Sequence, residues 1–170
     1  LSGFSNSLIW LIGISIMMSR GLINTGLGAR IGYYFISLFG RRTVGIGYAL
    51  SISELILAPL TPSNTARGGG IMHPVMRSIA NSFGSSPEQG TSGKIGRYLA
   101  LVNYHTNPIT SAMFITATAP NPLVVKLVAE ATGAEISLPW GTWALAMFVS
   151  GPAATALVPV VTPVAYIYLT

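Results

Sequence analysis

Apolar residues form long runs along this chain, separated by short stretches rich in proline, glycine and hydroxyl side chains. Such runs predict helices in a lipid environment, although the first, residues 4–19, is shorter than the roughly 20 residues that cross a bilayer. The pattern predicts a single transmembrane unit, residues 1–170, with three recognisable parts: a re-entrant hairpin at 43–83, an interrupted helix at 94–131 and a last span at 140–169.

The stretch 58–70 (APLTPSNTARGGG), called the tip below, interrupts two strongly apolar arms predicted at 43–60 and 66–83. Its prolines break a helix and its glycines allow close approach of backbone or ligand. The first arm would bring its carbonyl end to the tip and the second its amide end, which suit a cation and an anion respectively. Ser63, Asn64 and Thr65 add oxygen ligands for an alkali cation and donors for a carboxylate. The tip is therefore the predicted binding site.

Composition places these helices in a membrane. The chain is 51% hydrophobic and only 8% charged, whereas soluble domains carry about 25% charged residues. The net charge of +5 is concentrated at the ends of apolar runs, without the interleaved aromatic residues of a nucleic-acid surface. We therefore expect an all-α polytopic membrane protein, in contact with lipid and not with nucleic acid.

The distribution of basic residues predicts the topology of the hairpin. Arg41 and Arg42 precede it, while Arg77, Lys94 and Arg97 lie at or beyond its far end. Because basic residues mark the cytoplasmic side of a membrane, both ends of the hairpin are expected to be cytoplasmic, with the tip re-entering the bilayer. Broken backbone at that depth requires protein or a wet cavity around it, which a substrate site would provide.

Two signals predict that the helix at 94–131 is interrupted. Pro108 disfavours helical geometry at Asn107, so a half-helix should end there. Asn121 followed by Pro122 is typical of a helix start, with Asn121 as the N-cap. Discontinuous helices of this kind occur at the midplane sites of secondary transporters. In the last span, three prolines predict kinks: Pro152, Pro159 and Pro163.

Three motifs resemble those of the divalent anion:sodium symporter family: residues 61–67 (TPSNTAR), 25–30 (TGLGAR) and 116–123 (TATAPNPL). The chain is most similar to the bacterial citrate, tartrate and dicarboxylate carriers and to the plastid 2-oxoglutarate/malate translocators of that family. The resemblance implies one half of an inverted-repeat transporter, namely the N-terminal repeat. We therefore expect a fragment of a larger carrier that is completed by a second repeat and forms a homodimer at full length.

The resemblance also implies roles for particular residues. It implies a sodium site formed by Ser63, Asn64, Ser111 and Ala112, with the last two contributing backbone carbonyls. It implies a substrate site formed by Asn64, Thr65, Thr118, Pro120 and Asn121. Ala119 stands where many relatives carry a second proline. No cofactor is expected other than sodium as a coupling ion.

Each candidate residue also has a structural interpretation. Ser63, Asn64 and Thr65 could be caps that satisfy backbone amides. Arg67 could attract anions or neutralise a helix end, and Glu54 could act in the site or pair with Arg67. His73 and His105 lack metal-ligand spacing and are interpreted as core residues.

We expect secondary transport of di- or tricarboxylates, by sodium symport or by exchange, across a bacterial inner membrane or, in a plant, the plastid inner envelope. An anion channel or passive pore is the alternative. An enzyme is not expected: a hydrolase using His73, His105 and Glu54 is disfavoured because no nucleophile–base pair has recognisable spacing.

Overall fold

The computed structural model describes residues 4, 7–133, 140–148 and 150–169, and these residues form helices with no strand among them. The α-helices are α1 (Ser7–Thr25), α2 (Leu27–Phe39), α3 (Thr43–Leu57), α4 (Asn64–Arg67), α5 (His73–Ser82), α6 (Ile95–Met113), α7 (Pro120–Thr132), α8 (Trp140–Met147) and α9 (Ser150–Leu169). A π-helical segment, Gly68–Met72, joins α4 to α5, and a 3₁₀ turn, Pro87–Gln89, precedes α6.

The predicted hairpin is present as two helical arms whose bounds differ from the expectation. The first arm, α3, ends at Leu57 rather than residue 60, ahead of Pro59 and Pro62. The second arm comprises α4, the π segment and α5 without interruption, so it begins at Asn64 and ends at Ser82. The π-helical turn at the glycine triplet was not predicted. Whether the hairpin re-enters a membrane stays a prediction.

The break predicted at Asn107 is wrong, because α6 continues through Pro108 to Met113. Pro108 removes one backbone donor, but hydroxyl groups nearby strengthen this part of the helix. Thr110 donates to the carbonyls of Thr106 and Asn107 at 3.2 and 3.1 Å. Ser111 donates to the Asn107 carbonyl at 2.6 Å. These bonds add to the helix just before Pro108, where the proline has removed a backbone hydrogen bond.

The chain instead leaves helical geometry at Phe114, which is extended (φ −121°, ψ 132°). Residues 114–119, called the break below, separate α6 from α7. The second helix starts at Pro120 with Ala119 at the N-cap position, so the N-cap prediction for Asn121 is also wrong. That α6 and α7 form one interrupted membrane helix stays a prediction.

The last predicted span, 140–169, comprises α8 and α9. In the described part of the chain no single helix is both long and apolar enough to cross a bilayer by itself. Trp140–Met147 and Ser150–Val161 meet that requirement together, across a bend of 48°. Tyr98 of α6 donates to the Pro159 carbonyl of α9 at 3.0 Å. Pro163, four residues further on, has no N–H for that carbonyl, so Tyr98 supplies the missing donor.

The core lies between the two arms and α6, which packs against α3, α5 and α9. Its most buried side chains come from all three elements: Ile46, Leu50, Leu57, Met72, Val75 and Leu99. Helix α2 closes one side through Gly28 and Gly32, which lie one helical turn apart on the same face. A Cβ at Gly28 would collide with Ile71, and one at Gly32 would lie 3.2 Å from Val75 Cγ1. Small residues therefore allow α2 to approach the second arm closely.

Replacing Gly28 tests this close approach. We expect Gly28→Leu to destabilise the protein by about 1–3 kcal/mol, because an overpacked contact forces the helices apart. Gly21→Leu is the matched control, since a Cβ at Gly21 meets nothing within 4 Å. The measurement is thermal unfolding of the detergent-extracted protein. Equal melting temperatures for the two variants would show that α2 does not pack on the second arm.

Candidate functional site

A fully buried arginine joins the tip to the rest of the site. Arg67 is 0% exposed, although it lies at the start of the second arm. Its Nε donates to Glu54 Oε1 at 2.7 Å, its Nη1 to the carbonyls of Thr61 and Ala117 at 3.1 and 3.3 Å, and its Nη2 to Ser111 Oγ at 2.7 Å. The guanidinium thus links α3, the tip, α6 and the break. A buried charge is tolerated only with such pairing and hydrogen bonding.

Glu54 is the counter-ion, and the interpretation that it pairs with Arg67 is confirmed. The carboxylate is 1% exposed and also accepts from Asn107 Nδ2, through Oε1, at 2.8 Å. Its second oxygen, Oε2, is buried without a hydrogen-bond partner among the described residues. The guanidinium is therefore neutralised within the protein and is not presented to a ligand at the surface.

The polar residues of the tip form the N-terminus of the second arm. Ser63 is the N-cap, and its Oγ accepts from the Ala66 amide at 3.3 Å. Asn64 Oδ1 accepts from the Thr65 amide at 2.8 Å. The capping interpretation is thus confirmed for Ser63. Ser63 and Asn64 are half-buried and Thr65 is exposed, so a ligand can also reach them.

Side-chain donors satisfy the carbonyls that α6 leaves free at its end. Asn121 Nδ2 donates to the carbonyls of Ser111 and Phe114 at 2.8 and 2.9 Å. Trp143 Nε1 donates to the Ala112 carbonyl at 3.0 Å. The last carbonyls of any helix lack partners within the helix. Asn121, predicted to bind substrate, thus has its amide N–H2 fully engaged in holding the break.

The other two residues predicted to bind substrate lie within the break and directly after it. Thr118 is half-buried in the break, and its carbonyl accepts from the Asn121 amide at 3.2 Å. Pro120 is the exposed first residue of α7. The tip and the break touch: Thr116 donates to the Pro59 carbonyl at 3.4 Å, beside the Arg67 contact with Ala117.

Whether the four residues predicted to hold sodium bind a cation stays a prediction. Each relevant oxygen already accepts an N–H: Ser63 Oγ, Asn64 Oδ1, the Ser111 carbonyl and the Ala112 carbonyl. In addition, the Arg67 guanidinium donates to Ser111 Oγ at 2.7 Å. The guanidinium is paired with Glu54, so the two side chains together bring no net charge to this position.

A groove of about 480 Å³ runs between the second arm and α6. Its polar lining comes from Asn64 and Thr65 at the tip and from Asn103 and Asn107 on α6. Sequence reasoning missed both α6 residues. Two asparagines four residues apart in an apolar helix share one face, and this spacing was the available signal.

The interpretation of the histidines as core residues is wrong. His73 and His105 are both exposed. His73 borders the groove, whereas the His105 ring nitrogen Nδ1 lies 2.8 Å from the Leu101 carbonyl of its own helix. A single histidine in an apolar stretch carries no sequence signal for burial, so its environment depends on packing.

A family model described as the sodium:sulfate symporter transmembrane region matches residues 1–168. The chain is 51% identical over 161 residues to the "Putative malate transporter YflS" of Bacillus subtilis (strain 168), which covers 95% of this chain and 33% of that protein. It is 44% identical over 166 residues to the L-tartrate/succinate antiporters of Escherichia coli (strain K12) and Shigella flexneri, covering 98% of this chain and 33% of each. The chain thus spans about a third of the length of these curated relatives. No solved structure matches it.

Removing the counter-ion of Arg67 tests the buried pair. We expect Glu54→Gln to destabilise the protein by about 3–5 kcal/mol, because it leaves an uncompensated charge in the interior. Glu88→Gln is the matched control, since Glu88 pairs with Arg77 at the surface, where both side chains are more than half exposed, and such pairs contribute about 0–1 kcal/mol. Thermal unfolding in detergent measures both. Equal stabilities would contradict a structural role for the buried pair.

Proposed function

We propose that this chain, which belongs to the divalent anion:sodium symporter family, is part of a dicarboxylate carrier. Its matched relatives are named as transporters of malate and of tartrate and succinate. A second repeat would complete the site, and the carrier would act as a homodimer in a bacterial inner membrane. The chain would contribute binding groups and no covalent chemistry.

The observation that carries this proposal is the arrangement of donors where the tip meets the groove. Because Asn64 Oδ1 accepts from the Thr65 amide, the Nδ2 group of Asn64 remains to donate to a ligand. Thr65 adds an exposed hydroxyl at the N-terminus of the second arm, where its hydrogen bond to Asn64 Oδ1 is long, at 3.4 Å. Oriented amides at a helix N-terminus favour anions, so these donors suit one carboxylate of a substrate.

We further propose that transport occurs by exchange of one dicarboxylate for another. The oxygens predicted to bind sodium already accept hydrogen bonds from N–H groups of the protein, which supports exchange over sodium symport. The Arg67 guanidinium already bridges the tip and the break, so no bound cation is needed to hold these segments together. The relatives from Escherichia coli and Shigella flexneri are named L-tartrate/succinate antiporters, in agreement with this mode.

Counterflow in liposomes containing the full-length carrier tests the mode of transport. We expect labelled malate to enter only liposomes preloaded with a dicarboxylate, at the same rate in sodium and potassium buffers. Uptake into empty liposomes that depends on a sodium gradient would contradict exchange and support symport. An ohmic current carried by the anion would instead support a passive pore.

Replacing Asn64 tests the carboxylate contact. Asn64→Ala removes the Nδ2 donor but leaves the prolines and glycines that shape the tip, so the fold should persist. A hydrogen bond to a charged group is worth roughly 1.5–3 kcal/mol, so the half-saturation constants for malate and succinate should both rise about 10- to 100-fold. Asn81→Ala is the control, since Asn81 is exposed near the far end of α5. Unaltered constants for Asn64→Ala would place the carboxylate elsewhere.

A further inference from the structure

Asn103, in the middle of α6, carries a hydrogen-bonding atom that the protein does not use. Its Oδ1 is buried and has no partner in the part of the chain that the structure describes. The residue is half-buried and borders the groove that contains Asn64 and Thr65. A buried acceptor without a donor costs about 1–3 kcal/mol, and an aliphatic side chain at this position would avoid that cost.

A second asparagine of α6, Asn107, differs from Asn103 in its hydrogen bonds. Asn107, one helical turn further on, donates from Nδ2 to Glu54 Oε1 at 2.8 Å and to the Asn64 carbonyl at 3.2 Å. Its amide is therefore fixed by the scaffold of the site. Asn103 lies on the same face of α6 and borders the same groove, but its carbonyl oxygen remains available. The torsion of an asparagine amide is broad, so a modest rotation can turn this oxygen toward a ligand.

The chemistry of the ligand follows from what this oxygen needs. An ionised carboxylate only accepts hydrogen bonds, so it cannot satisfy Oδ1. A hydroxyl group both donates and accepts, and it can therefore pair with either atom of the amide. Among four-carbon dicarboxylates, malate and tartrate carry such a hydroxyl on the carbon next to a carboxylate, whereas succinate carries none.

We propose that Asn103 binds the hydroxyl group of a 2-hydroxydicarboxylate while Asn64 and Thr65 bind its adjacent carboxylate. This assignment rests on the proposed function, and it names the substrate class that the groove favours. A site built to hydrogen-bond a substrate hydroxyl discriminates against the analogue that lacks it, because its polar group is then left unpaired. The carrier should thus prefer malate to succinate, and Asn103 should be the residue that sets this preference.

The test is the ratio of the half-saturation constants for malate and succinate, measured by counterflow in liposomes with the full-length carrier. Asn103→Leu keeps a side chain of similar shape but removes both amide groups. We expect the malate constant to rise about tenfold, equivalent to roughly 1.4 kcal/mol, while the succinate constant changes less than about twofold. Asn81→Leu, on the exposed surface of α5, should change neither constant.

Equal shifts for the two substrates, or no shift for either, would overturn the assignment of Asn103. Retained succinate exchange by Asn103→Leu shows that the variant is folded. If Asn103→Leu does not fold, the same ratio of half-saturation constants is measured for Asn103→Ser. A serine hydroxyl is too short to replace the amide, so the malate constant should again rise more than the succinate constant. The proposed function fails separately, if the unmodified carrier exchanges neither malate nor succinate.

Discussion

The rest of the site depends on the buried ion pair between Glu54 and Arg67. The pair lies where the first arm, the second arm, α6 and the break meet, and its hydrogen bonds reach each of them. In a low-dielectric interior such bonds are strong when complete and costly when one partner is missing. The position of the tip is therefore set by a neutralised ion pair that the protein itself supplies.

The sequence predicted those parts of the fold that obey local rules. Pro59 and Pro62 act on their own backbone, so the interruption between the two arms could be located to within a few residues. Pro108 obeys the same local rule, yet the helix continues to Met113, and Thr110 and Ser111 add hydrogen bonds to the carbonyls of the two residues before the proline. A break was expected after Asn107 and instead follows Met113, where several other elements supply donors to the end of the helix.

The parts of the site that could not be predicted depend on contacts between residues far apart in the chain. Arg67 meets Ser111 across 44 positions, and Glu54 meets Asn107 across 53. No spacing in the sequence specifies such partners. The pairing of Glu54 with Arg67, 13 positions apart, could be anticipated because few charges lie in these apolar segments and each needs a counter-ion. An asparagine side chain is uncharged and needs no counter-ion, so the roles of Asn107 and Asn121 could be identified only from their contacts in the structure.

The three consecutive glycines of the tip, Gly68, Gly69 and Gly70, differ in what lies beside them. A Cβ at Gly68 would lie 2.9 Å from Asn107 Nδ2, so glycine there allows α6 to approach the backbone of the tip. A Cβ at Gly70 would lie 3.0 Å from Ile23 Cδ1, so glycine there leaves room for this side chain of α1. Gly69 borders the groove, and a Cβ there would meet nothing within 4 Å. Two of the glycines thus bring the scaffold together, while the third keeps the groove open between Asn64 and Asn103.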